Sequence, residues 1–312
     1  SCMDEAAINK AGAKPLNPYF KAIGKIASVA DLEKEIALLH NSGIPAIFGF
    51  FGGTDLKNSE MVIINAGQGG LSLPNRDYYL NTDAKSVETR QKFVEYMTNM
   101  FKLLGDSADK AAANAKTVMD IQTRLAKASL SQGGLRDPDN RYNKISFADA
   151  QEITPNFSWK EYLAVRAIAP PADLNLGQPK FFTEVNAMLP QVPIEDWKTY
   201  LRWMTVNAAA SSLARPFADE NFKFFRTYLA GQKERQPRWK ECVQATDQNL
   251  GEALGMEYVK TNFTPKAKAR MDELITNLFV TLKDRINGLE WMSDATKTQA
   301  QTKLSTFKRK IG

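Results

Sequence analysis

The side chains that most often carry out chemistry in proteins are sparse in this sequence. Among its 312 residues there is one histidine, His40, near the end of an amphipathic helical pattern. A metallopeptidase needs histidine and glutamate ligands at helical spacing, usually as HExxH, and the chain contains no such motif. A serine nucleophile would need His40 as its base, and no GxSxG sequence accompanies it. We therefore expect His40 to be a surface or helix-end residue, and we assign no catalytic and no metal-binding residue.

Other reactive patterns are also missing. Neither GxxxxGK[ST] nor GxGxxG occurs, and the glycines within residues 67–70 fit a turn better than a phosphate-binding loop. Carboxylate pairs such as Glu33 and Glu35 are not specific for a site. Cys2 and Cys242 are 240 positions apart, and this spacing alone indicates neither a bond nor a metal site, so two buried free thiols remain possible. By itself the chain is predicted to be inactive.

The most distinctive stretch is residues 69–80, with the sequence GGLSLPNRDYYL. Its two glycines permit a sharp reversal of the chain, and Pro74 holds Leu73 in an extended conformation. Asn75 can cap a short helical turn. The stretch holds no nucleophile, metal ligand or phosphate cradle, so its pattern favours a structural role.

The second half of this stretch is polar and aromatic. Arg76 and Asp77 can satisfy backbone groups or each other, while two tyrosines suit a buried joint between elements because each has an apolar body and a polar tip. We predict a rigid corner that sets the angle between a hairpin and the helix after Asp83. The residues assigned to this motif are Leu73, Pro74, Arg76, Asp77, Tyr78 and Tyr79.

The elements around the motif are predicted to be almost all helical. Asp31 is expected to cap the first of them, and apolar residues at helical spacing form a long stripe from Met271 to Leu289. Helices are predicted near residues 31–43, 83–105, 108–130, 193–208, 219–230, 237–260, 265–290 and 294–309, with shorter ones from Ser146 and Ser158. The exception is a β-hairpin at about 46–65. Residues 131–144 and 167–179 are expected to be surface loops.

Composition sets further limits. The net charge is +6, but charges of both signs are interspersed, so nucleic-acid binding would rest on charge alone and is not expected. No apolar run approaches the ~18 residues of a membrane span. With 43% hydrophobic and 24% charged residues, the chain has the composition of a globular protein.

Blocks along the whole chain resemble the non-catalytic half of neprilysin-type zinc metalloendopeptidases, the group that includes endothelin-converting enzymes and bacterial oligopeptidases. The blocks occur in the order found in that family. They are residues 1–16, 51–59, 70–79, 136–143, 197–203, 237–242, 250–255, 289–304 and 310–312, which include Pro237-Arg-Trp-Lys-Glu-Cys242, Leu289-Glu-Trp-Met292 and Lys310-Ile-Gly312.

The resemblance implies a mainly α fold: a helical cap domain with one short β-hairpin. It implies domains at 1–260, the cap, and 261–312, long helices leading toward a catalytic domain absent from this chain. In the family the cap faces that domain across a cavity and admits oligopeptides rather than folded proteins. The HExxH helix and the other zinc ligand lie beyond residue 312, so zinc belongs to the intact enzyme and no residue here binds it. The chain therefore resembles a piece of a longer protein.

The resemblance also suggests a role for the cysteines, because the matching positions are bonded to each other in animal members. A bond between Cys2 and Cys242 would imply an oxidising compartment, so the protein is expected to be secreted, periplasmic or bound to the cell envelope. The expected partners are the protein's own C-terminal catalytic domain and oligopeptide substrates. The alternative is a free-standing helical module that binds peptides or proteins without catalysis.

Overall fold

A computed structural model describes residues 2–311, which form two compact units. One unit is residues 4–235, and the other is residues 236–311 together with Cys2 and Met3. Ser1 and Gly312, at the ends of the first and last resembling blocks, lie outside the described residues. The predicted boundary at residue 260 falls inside a helix of the second unit, and the division into a cap and a leading segment stays a prediction.

The unit of residues 4–235 is built mainly from helices, as predicted. Three short 3₁₀ turns occupy Lys14–Leu16, Pro138–Asn140 and Ala210–Ser212. The α-helices are α1 (Glu5–Ala11), α2 (Asn17–Gly24), α3 (Val29–Asn41), α4 (Asp77–Leu80), α5 (Ala84–Leu103), α6 (Ala108–Ala128), α7 (Gln132–Arg136), α8 (Phe147–Ile153), α9 (Trp159–Val165), α10 (Pro179–Gln191), α11 (Ile194–Ala209) and α12 (Arg215–Asn221).

Short polar side chains begin several of these helices. Side-chain oxygens of Asp83, Ser146 and Ser158 accept a hydrogen bond from a backbone N–H group three residues later, which satisfies a donor that the helix itself cannot. The predicted cap of α3 is wrong, because Ser28 occupies that position. Asp31 stands three residues later and accepts a hydrogen bond from the Ser28 hydroxyl (2.9 Å).

The predicted helix at 219–230 is in fact two segments. It begins as α12 and continues as a π-helix over Phe222–Leu229. In the wider turn of the π-helix, two consecutive residues contact the ring of Tyr96. Phe224 stacks on this ring with 5.2 Å between ring centroids, and Phe225 meets it edge-on at 5.6 Å. Apolar periodicity did not distinguish this segment from an ordinary helix.

The predicted hairpin is present as β1 (Phe48–Asp55) and β2 (Asn58–Gln68), and two strands that the sequence did not predict extend it. These are β3 (Lys144–Ser146), which begins at the end of the predicted loop 131–144, and β4 (Asp173–Leu176), which lies inside the predicted loop 167–179. The sheet order is β1-β2-β4-β3; β2 and β4 are parallel, and the other neighbours are antiparallel. The first loop is therefore held to the sheet at its end, and the second is held within its length.

Buried polar groups hold the added strands in place. The side-chain amide of Asn175 on β4 donates to Asn65 Oδ1 on β2 (2.8 Å) and to the Arg141 carbonyl (2.9 Å), and its oxygen accepts from the Asn143 N–H (2.7 Å). At the far end of the hairpin, Asp55 accepts a hydrogen bond from the Tyr142 hydroxyl (2.7 Å). The hairpin is thus fixed to the loop before β3 in two places.

The apolar core lies between the hairpin and the helices. Phe48, the first residue of β1, is surrounded by four aromatic rings of residues 157–182 at centroid distances of 5.5–5.7 Å: those of Phe157, Trp159, Tyr162 and Phe182. A second aromatic group surrounds Trp203 of α11, which contacts Phe93 and Tyr96 of α5 at 5.8 and 5.5 Å. Each large ring buried in this way removes more apolar area from water than a smaller aliphatic side chain does.

The second unit contains α13 (Arg238–Asn262), α14 (Pro265–Asn287) and α15 (Asp294–Ser305). Within the described part of these three helices, Cys242 is the one buried residue. The predicted stripe on α14 is present but uncovered, since Leu274 and Leu278 are 49% and 58% exposed. No helix in residues 2–311 combines the length and the apolar character required to cross a membrane.

Candidate functional site: a buried corner between hairpin and helices

The stretch that sequence analysis singled out, residues 69–80, links the end of β2 to α4 and forms a corner against α6 and α11. It begins with two glycines that touch the residues leading into β1. A Cβ atom on Gly70, whose φ is +73°, would lie 2.6 Å from the Ile47 carbonyl oxygen and 2.7 Å from the Ile47 Cα. On Gly69 it would lie 2.9 Å from the Gly49 nitrogen. The predicted sharp reversal is therefore also a close approach of two backbones, which excludes any side chain.

The residue facing Gly70 has an unusual backbone. Ile47 is fully buried and has φ of +59°, a conformation that a β-branched residue rarely adopts. Its N–H donates to the Tyr200 hydroxyl of α11 (3.0 Å), and that hydroxyl donates to the Gly70 carbonyl (2.9 Å). One phenol group thus joins the start of the hairpin to the start of the corner. Burial raises the pKa of Tyr200, so the hydroxyl keeps its proton.

The middle of the corner is organised by Tyr79. Its hydroxyl accepts hydrogen bonds from the backbone N–H groups of Leu73 (2.9 Å) and Ser72 (3.1 Å) and donates to Gln122 Oε1 of α6 (2.7 Å). The Ser72 hydroxyl oxygen accepts from Gln122 Nε2 (2.7 Å) and from the Trp203 indole N–H (2.8 Å). This network binds the turn to α6 and α11 through neutral groups, and burial raises the pKa of Tyr79.

The remaining motif residues fasten the turn itself. Leu73 is buried, while Pro74 before α4 is exposed. The N-cap residue of α4 is Arg76 rather than the predicted Asn75; the Asn75 side-chain oxygen accepts from the N–H of Asp77, the first residue of the helix (2.9 Å). Arg76 does not pair with Asp77; its guanidinium donates to the Ser129 carbonyl at the end of α6 (2.7 Å).

Tyr78 is partly buried beside Tyr79, and its backbone is used as well as its ring. The Tyr78 carbonyl accepts a hydrogen bond from the Arg90 guanidinium of α5 (3.1 Å), which also donates to the Asn81 carbonyl (2.8 Å). The end of the corner is therefore fixed to the helix whose direction it was predicted to set.

Three residues on which the corner depends were not predicted from the sequence: Ile47, Gln122 and Tyr200. Tyr200 lay in one of the resembling blocks, but nothing in its spacing indicated a partner at Gly70. Gln122 had a usable signal, since it is a polar residue in the apolar stripe of α6 and is fully buried. A buried amide needs hydrogen-bond partners, and such a position therefore indicates a polar network.

His40 lies in the last turn of α3, as predicted, but it is partly buried. It is not a surface residue: its ring is packed edge-on against Phe48 (5.1 Å between centroids), and both ring nitrogens have partners. Within the described residues, no group of three or more His, Cys, Asp or Glu side chains is placed to hold a metal ion. At the centre of the corner, neutral groups of Tyr79, Gln122 and Ser72 are hydrogen-bonded to one another. This arrangement suits a structural role.

The two cysteines form a disulfide bond, and their Cα atoms are 5.8 Å apart. Both belong to the second unit, and the bond joins the start of the chain to α13. Arg238 of α13 also donates to the Cys2 carbonyl (2.9 Å). The covalent loop that the bond closes contains the whole of residues 4–235.

A mostly helical fold, a small mixed sheet and a disulfide between the chain start and α13 characterise residues 2–311. The sequence model of the N-terminal part of peptidase family M13 matches residues 1–312. The chain belongs to this family, which confirms the resemblance.

Individual relatives agree with the family match. Endothelin-converting enzyme 1 of Rattus norvegicus is 29% identical over 100% of this chain and 42% of its own length. Zinc metalloprotease Zmp1 of Mycobacterium tuberculosis in complex with inhibitor is 30% identical, with a TM-score of 0.90 over 98% of this chain and 46% of that chain. Its open state gives 0.88 over 98% and 48%, again at 30% identity. The chain therefore spans less than half the length of these relatives.

The close approach at Gly70 predicts a specific cost for adding a methyl group. Gly70→Ala is expected to reduce the free energy of unfolding by about 3 kcal/mol or more, because backbone strain and a backbone clash add. Gly43→Ala is the matched control: its φ is +74°, and a Cβ there would meet nothing within 4 Å. This control is expected to lose only about 1 kcal/mol. Urea unfolding followed by circular dichroism measures both; equal losses would contradict the close approach as the reason for glycine.

The disulfide predicts a stability that depends on oxidation. Closing a loop with a sequence separation of 240 restricts the unfolded chain, and the chain-entropy model gives about 5 kcal/mol for it. Reductant is therefore expected to lower the unfolding temperature of the chain. Reductant should not affect the double variant Cys2→Ser, Cys242→Ser. A wild-type protein that unfolds at the same temperature with and without reductant, despite alkylation of both thiols, would contradict this prediction.

Proposed function

We propose that this chain is the N-terminal, substrate-restricting part of a zinc-dependent metalloendopeptidase that hydrolyses oligopeptides. The observation that carries the proposal is the match of the entire chain to the N-terminal part of the family, combined with its coverage of 42–48% of relatives that include a zinc metalloprotease. Zinc and the groups that activate water would belong to a C-terminal catalytic domain of the same protein.

The residues described here do not fit a zinc site, since they contain no suitable ligand cluster and the sequence has one histidine with both nitrogens engaged. The proposed contribution of residues 4–235 is therefore steric. A wall that admits flexible peptides and rejects folded proteins must keep its shape, and the corner and the hairpin anchors give this unit internal rigidity. We infer no substrate-contacting residue.

The surface of the second unit supports a catalytic domain as partner. We name the exposed apolar stripe of α14 the uncovered face. Helices this apolar are stable when their stripe is covered, and contiguous exposed apolar area is typical of an interface. The residues of the uncovered face are Met271, Leu274, Leu278 and Leu282, which lie on one side of α14 by helical spacing and range from 40% to 58% exposed.

The disulfide supports a location outside the reducing cytosol. Disulfides persist in secreted proteins, in the periplasm and at cell surfaces. We therefore propose that the protein is secreted, periplasmic or associated with the cell envelope.

The peptidase proposal predicts a difference between the native protein and the 312-residue chain. The native protein is expected to be about twice the 34.8 kDa of this chain, to bind one zinc ion and to cleave a short quenched-fluorescent peptide but not a folded protein. Chelation should abolish cleavage and added zinc should restore it, whereas the 312-residue chain should show neither property. A native mass of 34.8 kDa, without zinc or a copurifying catalytic chain, would contradict the proposal and favour the free-standing binding module.

The uncovered face predicts that one substitution has different effects in two proteins. Leu278 is 58% exposed, so Leu278→Glu should change the unfolding free energy of the 312-residue chain by at most about 0.5 kcal/mol. In the native, longer protein the same change should cost about 2 kcal/mol or more, because it would bury a carboxylate. The 312-residue variant is the control for the helix itself. Equal effects in both proteins would contradict coverage by a catalytic domain.

A further inference from the structure

His40 connects α3 to the segment that leads into the hairpin. Its Nε2 lies 2.7 Å from the Ala46 carbonyl oxygen, which can only accept, so Nε2 carries the proton and donates. Nδ1 is then the acceptor, and the Tyr162 hydroxyl of α9, 2.6 Å away, donates to it. The same hydroxyl accepts from the Arg166 guanidinium (2.7 Å). The direction of donation thus runs from Arg166 through Tyr162 and His40 to Ala46.

The end of this chain of hydrogen bonds is the root of the hairpin, which we define as residues 46–48. Ala46 accepts from His40, Ile47 has its positive φ and donates to Tyr200, and Phe48 packs against the His40 ring. A strained residue persists only where its surroundings hold it in place. The root is held from one side by Tyr200 and from the other by His40.

We propose that His40 is an acid-sensitive latch on the hairpin root: neutral, it holds residues 46–48 in place, and protonated, it releases them. Protonation adds a hydrogen at Nδ1, which faces the Tyr162 hydroxyl. That hydroxyl must then turn its own proton away while it already receives a donor from Arg166. Two cationic groups would converge on the Tyr162 oxygen atom. The ring could then keep its present position only by losing the hydrogen bond that Tyr162 donates to it.

The charges around His40 favour its neutral form. The pKa of His40 is lowered from 6.5 to about 4: burial is the largest cause, the hydrogen bond to the Ala46 carbonyl acts in the opposite direction, and the positive charge of Arg166 lowers it. From α9, the neutral Tyr162 faces the ring, and burial raises the pKa of this phenol to about 12. On α3 itself Glu33 lies two turns earlier, and burial raises its pKa. Residues 46–48 contribute no titratable group.

The sign of the pH effect follows from these values. A histidine with a pKa of about 4 in the folded state and 6.5 when exposed binds fewer protons in the folded state. The latch is therefore intact above pH 6.5 and weakens as the pH falls toward 4. Between pH 7 and pH 4 the population in which His40 is exposed is expected to rise by about 100-fold.

The first experiment is an NMR titration of histidine in the untagged 312-residue chain, whose sequence contains no other histidine. A pKa near 4 and nitrogen shifts of the Nε2–H tautomer are expected. A pKa near 6.5, or the Nδ1–H tautomer, would overturn the latch. Arg166→Gln should raise the measured pKa, because it removes the neighbouring positive charge.

The second experiment measures hydrogen exchange of the backbone amides of residues 46–50 as protection factors between pH 7 and pH 4. Protection of the wild type should fall by about 100-fold over this range. In His40→Gln, which has no titrating ring, this fall should be absent, while the hairpin tip near Asp55 serves as an internal reference in both proteins. If His40→Gln does not fold, Arg166→Gln replaces it, and the fall should begin at higher pH. Wild-type protection that does not change with pH, or the same fall in His40→Gln, overturns the proposal.

Discussion

The contact between two backbones, at Gly70 and Ile47, is the constraint on which the rest of the larger unit depends. It leaves no room for a Cβ atom, so the strand exit and the hairpin entrance can meet in one arrangement only. The Tyr200 hydroxyl bridges both segments and fixes α11 relative to them. Ile47 adopts an unfavourable φ because this arrangement demands it, and the surrounding burial keeps it there.

Features that depend on residues close in sequence were predictable, and contacts between residues distant in sequence were not. The caps at Asp83, Ser146 and Ser158 depend on neighbours three residues away, and the hairpin has strong apolar strands, so single-sequence patterns were sufficient. Strands β3 and β4 have three and four residues, too few for a pattern. Tyr200 contacts Gly70 across 130 positions, and His40 contacts Tyr162 across 122. No periodicity indicates such pairs, because tertiary packing alone brings them together.

The polarity of the corner explains why a motif-like sequence need not be reactive. Its hydroxyl, amide and indole groups are neutral at ordinary pH, and nearly all are paired. Among the described residues, two buried side-chain atoms lack a partner, the Nε of Arg76 and the Nε1 of Trp197. A buried network in which nearly every polar group is paired fixes the chain in one arrangement. Reactive sites differ because they keep a group with a shifted pKa facing substrate.

The two units differ in how they are stabilised, and this difference is consistent with the proposed division of labour. Residues 4–235 contain the apolar core and the buried hydrogen bonds, so this unit is organised without help from another domain. In residues 236–311 the helices have apolar stripes and almost no buried side chains. A wall that selects substrates by size has to be rigid in itself. Under the proposal, the helices of residues 236–311 need only become covered when a catalytic domain is present, which would account for their exposed leucines and Trp291.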